Sequence, residues 1–232
     1  MNVFRLCGDM SHLFSIIVLL LRLRVTKNAQ GISVKTHELY LLVFVTRYLD
    51  LFSTFYFSIY NSVMKMVYIA STSAIIYTIK FQEPIKSKYD KGQDSFWHWQ
   101  LAVLPCGLLA LLVHLIRAGF SNFDVQELLW TFSILLESVT IMPQLVVLQR
   151  YREVENLTGN YVFFLGAYRA LYILNWIYRA NFEAYYEHDW VAYICAVIQT
   201  LLYADFFYYY LKSKAKGVKK ISLPTSGGDS MV

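Results

Sequence analysis

Charged side chains interrupt stretches of this chain that are otherwise apolar enough to cross a bilayer: Arg5, Asp9, His12, Arg47, Asp50, Glu127, Glu137 and Arg169 all lie in such stretches. A charge near the bilayer centre costs roughly 2.5–3.5 kcal/mol on insertion scales, so these groups must pair with one another or with a charged ligand. A chain under that constraint is built around a buried polar site. Composition agrees: 57% of the 232 residues are hydrophobic and 17% aromatic, and the mean hydropathy is +0.41. Those values belong with polytopic membrane proteins rather than soluble domains.

Hydropathy predicts an all-α membrane protein with seven transmembrane helices, at residues 3–21, 37–52, 61–80, 97–116, 125–148, 161–177 and 190–211. The second and sixth are short and cut by charge, so hydropathy ranks them weakest; helices facing a wet or occupied cavity read this way. The expected division is one compact membrane domain over residues 1–211 and a lysine-rich tail over 212–232. Arg5, Asp9 and His12 precede the first strongly apolar run, and no small-residue cleavage site follows it, so the first helix reads as retained rather than as a signal peptide. Cys7, Cys106 and Cys195 support neither a disulfide framework nor a metal site. No cofactor, metal or nucleic-acid partner is expected, and no nucleophile–base pair or phosphate loop suggests an enzyme.

An odd number of spans puts the termini on opposite faces. One set of loops then holds Arg22, Arg24, Lys27, Lys35, Lys80, Lys86, Lys88, Lys91, Arg150, Arg152, Lys212, Lys214, Lys216, Lys219 and Lys220, fifteen in all; the other holds Arg117 and Arg179. The positive-inside rule assigns the tail to the cytosol and the N-terminus to the lumen or exterior. The sequon at Asn156 falls on the cytosolic side, where it is not glycosylated.

Helical spacing converts the charges into faces. Arg5, Asp9 and His12 share one; Arg47 and Asp50, with Tyr48 beside them and Thr54 a turn on, share another. Glu127, Trp130, Ser133 and Glu137 line a third. The sixth span carries Tyr168, Tyr172, Asn175 and Arg179 on one line and Arg169, Tyr172 and Trp176 on its neighbour. Converging on one cavity, these faces supply guanidinium groups for carboxylates, carboxylates for an ammonium, and aromatic walls that desolvate both. Two plainer readings stand beside this one. Arg47 and Asp50 can neutralise each other as a structural pair, and His12 can be a satisfied core histidine. The placement suggests three helices, a linker helix and three more, as two parallel repeats with the site between them.

Pro143–Gln144 resembles the signature dipeptide of the PQ-loop transporter superfamily, in which proline frees backbone groups and glutamine can satisfy them. A fuller set is far more specific: residues 1–6, 8–13, Thr46–Arg47–Tyr48–Leu49–Asp50–Leu51–Phe52, 129–133, 142–145, Tyr168–Arg169–Ala170–Leu171–Tyr172–Ile173–Leu174–Asn175–Trp176–Ile177 and 204–208. Across essentially the whole chain this resembles the KDEL receptor family. The resemblance implies a SWEET-like fold used for binding rather than transport, in Golgi and endoplasmic-reticulum membranes. Its ligands are the C-terminal Lys-Asp-Glu-Leu or His-Asp-Glu-Leu signals of soluble resident proteins.

By that resemblance, Arg47 and Tyr48 take the terminal carboxylate, Arg5 and Arg179 the acidic side chains, and Asp50, Glu127 and Trp130 the basic first residue. Asn175 and Trp176 shape the wall, and Tyr172 adds a hydroxyl. His12 is implied as proton sensor, since an unperturbed imidazole has a pKa of about 6.5, between Golgi and reticulum pH. Glu137, Tyr168 and Arg169 are implied as its locking network. Lys212, Lys214, Lys216, Lys219 and Lys220 are candidates to recruit the retrograde COPI coat, or simple anchors at the lipid surface. Two features depart from the family pattern: the chain continues for eight residues past Pro224, and the lumenal loop holds Glu187, His188 and Asp189. The competing expectation is a small-solute transporter of the PQ-loop kind.

Overall fold

The structure is a computed structural model that describes residues 2–52, 59–119, 122–151, 153–184, 186–218 and 220–223. Thr54, Arg152, Lys219 and residues 224–232 lie outside the described residues. Nine α-helices among those residues run in the order α1 (Val3–Thr26), α2 (Val34–Arg47), α3 (Ile59–Phe81), α4 (Leu104–Ala118), α5 (Val125–Val139), α6 (Met142–Tyr151), α7 (Asn156–Phe182), α8 (Trp190–Leu202) and α9 (Ala204–Ala215). A π-helical turn, Trp99–Val103, leads into α4, and a 3₁₀ turn, Leu49–Phe52, follows α2.

Local chemistry sets most of these ends. Asn2, Ser33, Asp124 and Asp189 are N-caps whose side chains accept first-turn N–H groups of α1, α2, α5 and α8. Lys27 closes α1 in the left-handed region at φ 47°, its N–H donating to the Leu23 carbonyl.

Two expected spans are each broken. The stretch predicted as 125–148 is α5 plus α6, parted at Thr140 and Ile141, because Pro143 has no N–H for the residue-139 carbonyl and its ring crowds the preceding turn. The stretch predicted as 190–211 is α8 plus α9, bent by 44° at Tyr203. By length and apolarity, four helical stretches can span a membrane: Val3–Thr26, Ile59–Phe81, Trp99–Ala118 and Val125–Tyr151. The bent α8–α9 pair makes a fifth if taken as one span. The two that fall outside this measure, α2 and α7, are the two that charge interrupts in sequence.

α1 lies along α7 in the most extensive helix contact; α2 packs on α3 and α5, α4 on α5, and α8 on α5 and α7. Small residues permit the closest approaches. A Cβ at Gly8 would stand 2.8 Å from Tyr172 Cδ2, and one at Gly166 would stand 2.6 Å from Phe207 Cζ and 2.7 Å from Tyr203 Cδ1.

One end of the bundle is stitched by polar bonds. The buried Asp94 carboxylate accepts from Ser33 Oγ (2.8 Å), the Val34 N–H (2.9 Å) and the Tyr89 hydroxyl (2.6 Å), tying the 83–98 loop to the start of α2. Burial and the bond to Asp94 hold the Tyr89 phenol above its ordinary pKa. Gln144 corrects an expectation. It satisfies backbone as the PQ dipeptide suggested, yet the groups are not those freed by Pro143: its amide accepts from the Ser33 N–H (2.8 Å) and donates to the Gly31 carbonyl (2.7 Å). At the same end β1 (Glu153–Glu155) pairs antiparallel with β2 (Lys220–Ser222), burying Ile221. The predicted tail thus starts inside α9, which carries Lys212 and Lys214, and its residues Lys220–Ser222 form the docked strand β2.

Candidate functional site

The charged faces meet in two adjoining cavities. The inner one, 370 Å³, is lined by Arg5, Asp9 and His12 from α1, Arg47 and Phe44 from α2, Tyr60, Asn61, Met64, Lys65 and Tyr68 from α3, Glu137 from α5, and Tyr168, Arg169 and Tyr172 from α7, with Tyr48 beyond α2. The outer, 470 Å³, shares Arg47, Tyr48 and Lys65 and adds Asp50, Asp124, Glu127 and Trp130.

Glu137 is the hub of the inner cavity. Its carboxylate lies 2.5 Å from Arg47 Nη1 and 2.7 Å from Arg169 Nη2, and it accepts from the Tyr168 hydroxyl. Arg169 Nε donates to Gln199 Oε1 at 2.5 Å, and the Gln199 amide donates to the Tyr168 oxygen at 3.3 Å. Arg47 Nε donates to Ser133 Oγ at 3.0 Å. Its third nitrogen, Nη2, is buried and has no hydrogen-bond partner among the described residues. A guanidinium held on two sides with a third N–H group free is a prepared receptor for an oxygen acid.

His12 lies between two phenol rings, 4.5 Å from Tyr168 and 4.7 Å from Tyr68, both stacked. The Tyr168 ring that stacks on His12 is also the one whose hydroxyl donates to Glu137. Asp9, one turn away, is fixed by Tyr172, by Tyr60 at 2.9 Å on its carboxylate, and by Tyr68 at 3.1 Å on its carbonyl. Arg5 Nη2 donates to Asn61 Oδ1 at 3.0 Å.

The two cavities differ in sign. Arg5, Arg47, Lys65 and Arg169 against Asp9 and Glu137 give the inner lining four cations to two carboxylates. Asp50, Asp124 and Glu127 against Arg47 and Lys65 give the outer lining three carboxylates to two cations.

Most of the expected site is brought together here: Arg5, Arg47, Tyr48 and Tyr172 with His12, Glu137, Tyr168 and Arg169 inside, and Asp50, Glu127 and Trp130 outside. Three residues stand apart. Asn175 accepts from Asn2 Nδ2 at 2.7 Å. Trp176 meets the Tyr172 ring at 6.2 Å but lines a separate apolar groove with Trp190 and Tyr193. Arg179 pairs with Glu183 at 2.7 Å and lies over the Tyr186 ring. The Arg47–Asp50 structural pair is also corrected: Arg47 engages Glu137, and Asp50 is 2.5 Å from Lys65 Nζ.

The wall from α3, with Asp124 and Gln199, escaped the sequence reading. Its signal was present, since Tyr60, Met64 and Tyr68 recur every four residues with Asn61 and Lys65 beside them. Of the candidate tail lysines, Lys214 donates to Asn156 Oδ1 at 2.9 Å, and Lys220 pairs with Glu153 at 2.6 Å.

A helical membrane bundle closed around a two-signed, aromatic-walled cavity defines a class of ligand-binding membrane proteins. The sequence model of the ER lumen protein retaining receptor matches residues 28–179. ER lumen protein-retaining receptor B of Arabidopsis thaliana is 53% identical over 97% of this chain and 100% of its own length. The ER lumen protein-retaining receptor of Drosophila melanogaster and ER lumen protein-retaining receptor 2 of Bos taurus are each 48% identical, again over 97% of this chain and all of theirs. The chain belongs to the ER lumen protein-retaining receptor family.

Proposed function

We propose that this chain is a pH-dependent receptor that binds the C-terminal Lys-Asp-Glu-Leu or His-Asp-Glu-Leu signal of soluble resident proteins in the Golgi and returns them to the endoplasmic reticulum. The observation that carries the reading is the two-signed site. A peptide ending in carboxylates and starting with a cation finds a cationic inner cavity behind an acidic outer one. Full-length relatives bear the retaining-receptor name, and the solute-transporter reading is not favoured.

In this reading Arg47 Nη2, with Tyr48 beside it, receives the terminal carboxylate. A two-pronged grip needs a second N–H group, so the peptide competes with Glu137 for Nη1. Glu137 released from Arg47 stays bound to Arg169 and Tyr168, and that rearrangement is read by His12 through the Tyr168 ring. Arg5 meets an acidic side chain near Asn61, with Tyr172 beside it. Asp50, Glu127 and Trp130 receive the basic first residue, for which the peptide ammonium competes with Lys65. Asn175, Trp176 and Arg179 act from the rim.

If the bound state holds one more proton than the free state, affinity rises as pH falls, by up to tenfold per unit through the titration range. The site then loads in the acidic compartment and empties in the neutral one.

The same proposal covers topology. In it the chain crosses the membrane seven times with the N-terminus in the lumen and the lysine-rich end in the cytosol, a reading supported by the arginine and lysine asymmetry. Repeat architecture is supported by reciprocal pairing: the first predicted span packs on the sixth, and the second on the fifth. Lys212, Lys214, Lys216, Lys219 and Lys220 recruit the COPI coat when the tail is released from Glu153 and Asn156.

Binding of labelled Lys-Asp-Glu-Leu peptide to the purified protein from about pH 5 to about pH 7.5, across imidazole titration, tests the proposal, with a C-terminally amidated peptide as control. Acid-favoured binding lost on amidation is the expected result; absence of binding throughout refutes it.

A further inference from the structure

α4 carries one histidine to which the receptor reading gives no role. His114 is 1% exposed, on the helix flanking α5. Its Nε2 accepts the backbone N–H of Asp124 at 3.1 Å, and its ring stands edge-on to Phe123 at 5.0 Å. An acceptor at Nε2 places the proton of the neutral ring on Nδ1. That Nδ1 is buried, has no hydrogen-bond partner among the described residues, and lies 3.9 Å from Glu127 Oε2.

The two polar neighbours of this ring named above, Asp124 and Glu127, both line the acidic outer cavity. Asp124 caps α5 through its side chain on the Gln126 N–H at 2.8 Å, and it lines the cavity with Glu127. One turn further along α4, Arg117 is engaged elsewhere, 3.5 Å from Asp189 at the cap of α8. The imidazole therefore grips the first turn of α5 with one nitrogen and directs an unsatisfied N–H group at Glu127 with the other. A buried N–H lacking an acceptor draws the half-exposed Glu127 carboxylate toward it, which limits the rotamers that carboxylate samples and leaves its second oxygen for a ligand.

We infer that His114 is a positioning residue for the acidic subsite: by fixing the start of α5 and the direction of Glu127 it sets how strongly the receptor prefers a cationic first residue over a neutral one. The inference rests on the peptide-receptor reading, and its test separates the two.

Affinities of Lys-Asp-Glu-Leu and Gln-Asp-Glu-Leu peptides for the purified full chain give a discrimination ratio. His114→Gln retains an acceptor for the Asp124 N–H but loses the Nδ1 proton. Its ratio is expected to fall about two- to fivefold, the range of a half-exposed ion pair, while amidation-sensitive binding persists. Glu127→Gln should lower the ratio similarly, and the double variant no further, because one acts through the other. An unchanged ratio in His114→Gln, or losses that add in the double variant, overturns the inference. Loss of amidation-sensitive binding in the unchanged protein would instead overturn the receptor reading.

Nitrogen NMR of histidine-labelled, unsubstituted protein is an independent readout that needs no variant to fold. The His114 Nδ1 resonance should move on adding the Lys-first peptide and stay on adding the Gln-first one; equal responses to both refute the role.

Discussion

At the scale of single residues, the site works by sharing. Glu137 is bonded by two guanidinium groups and a phenol while almost fully buried. Removing its charge leaves Arg47 and Arg169 facing each other without a counter-ion, and breaking a buried pair in this way costs about 3–5 kcal/mol. Glu137→Gln should lower the thermal stability of the purified protein markedly, which a melting scan in detergent would show. Arg47→Ala should leave stability less affected and peptide affinity far more, with a loss of at least about 30-fold, as expected from the 2–5 kcal/mol lost when one partner of a buried charge pair is removed. Retained affinity would move the carboxylate site. His12→Asn keeps polarity at the Tyr168 ring but removes the imidazole, so under the proposed function the binding curve should flatten between about pH 5 and about pH 7.5. An unchanged pH profile would place the sensor elsewhere.

At the scale of elements, close helix approach is what brings residues of α1 and α7 to one cavity. Gly166 allows α7 to meet the α8–α9 corner, and the atoms a Cβ would strike are ring carbons of Tyr203 and Phe207, Tyr203 being fully buried. Gly166→Ala should therefore destabilise by about 1–3 kcal/mol, typical of overpacking, measurable as a lower unfolding temperature. Gly8 is more informative, since its obstacle is the Tyr172 ring, whose hydroxyl holds Asp9.

The helical periods that carry Arg5, Asp9 and His12, or Glu127 through Glu137, are local properties and were legible from residue order. The α3 wall was equally periodic, yet without a marked acid or arginine among Tyr60, Met64 and Tyr68 it did not stand out from packing. The breaks between α5 and α6 and between α8 and α9 differ in legibility. Pro143 announces the first, whereas at Tyr203 nothing local does, because the bend is set by packing around a buried ring.

At the scale of the whole molecule, the lysine-rich end is docked while the opposite end holds the cavity. Glu153 and the strand pairing hold Lys220, and Glu153 raises the Lys220 ammonium above its ordinary pKa. A raised cation contributes fully below the unfolded value of about 10.4 and is lost only as pH climbs through the folded one. The lysine side of this contact is thus constant from about pH 5 to about pH 7.5, and it gives the strand no pH dependence of its own over that range. Glu153→Lys should free the β2 strand, read as faster amide exchange over Lys220–Ser222, with the Glu137 network intact. Protection equal to that of the unchanged protein would show that burial of Ile221, not the ion pair, holds the strand.

Composition, the helical, apolar character of the chain and the charge stripes were determined by the sequence alone, because hydropathy and helical period depend on near neighbours. The family was determined there too, through motifs spread along the chain. Which charges meet was decided only by tertiary structure: Arg47 is 90 residues from Glu137 and could equally have closed on Asp50 one turn away. Asp50 instead takes Lys65, and Arg47 the buried acid it shares with Arg169. Partner choice among buried charges follows from which helices pack together and how much water they exclude, and those quantities exist only once the bundle is formed.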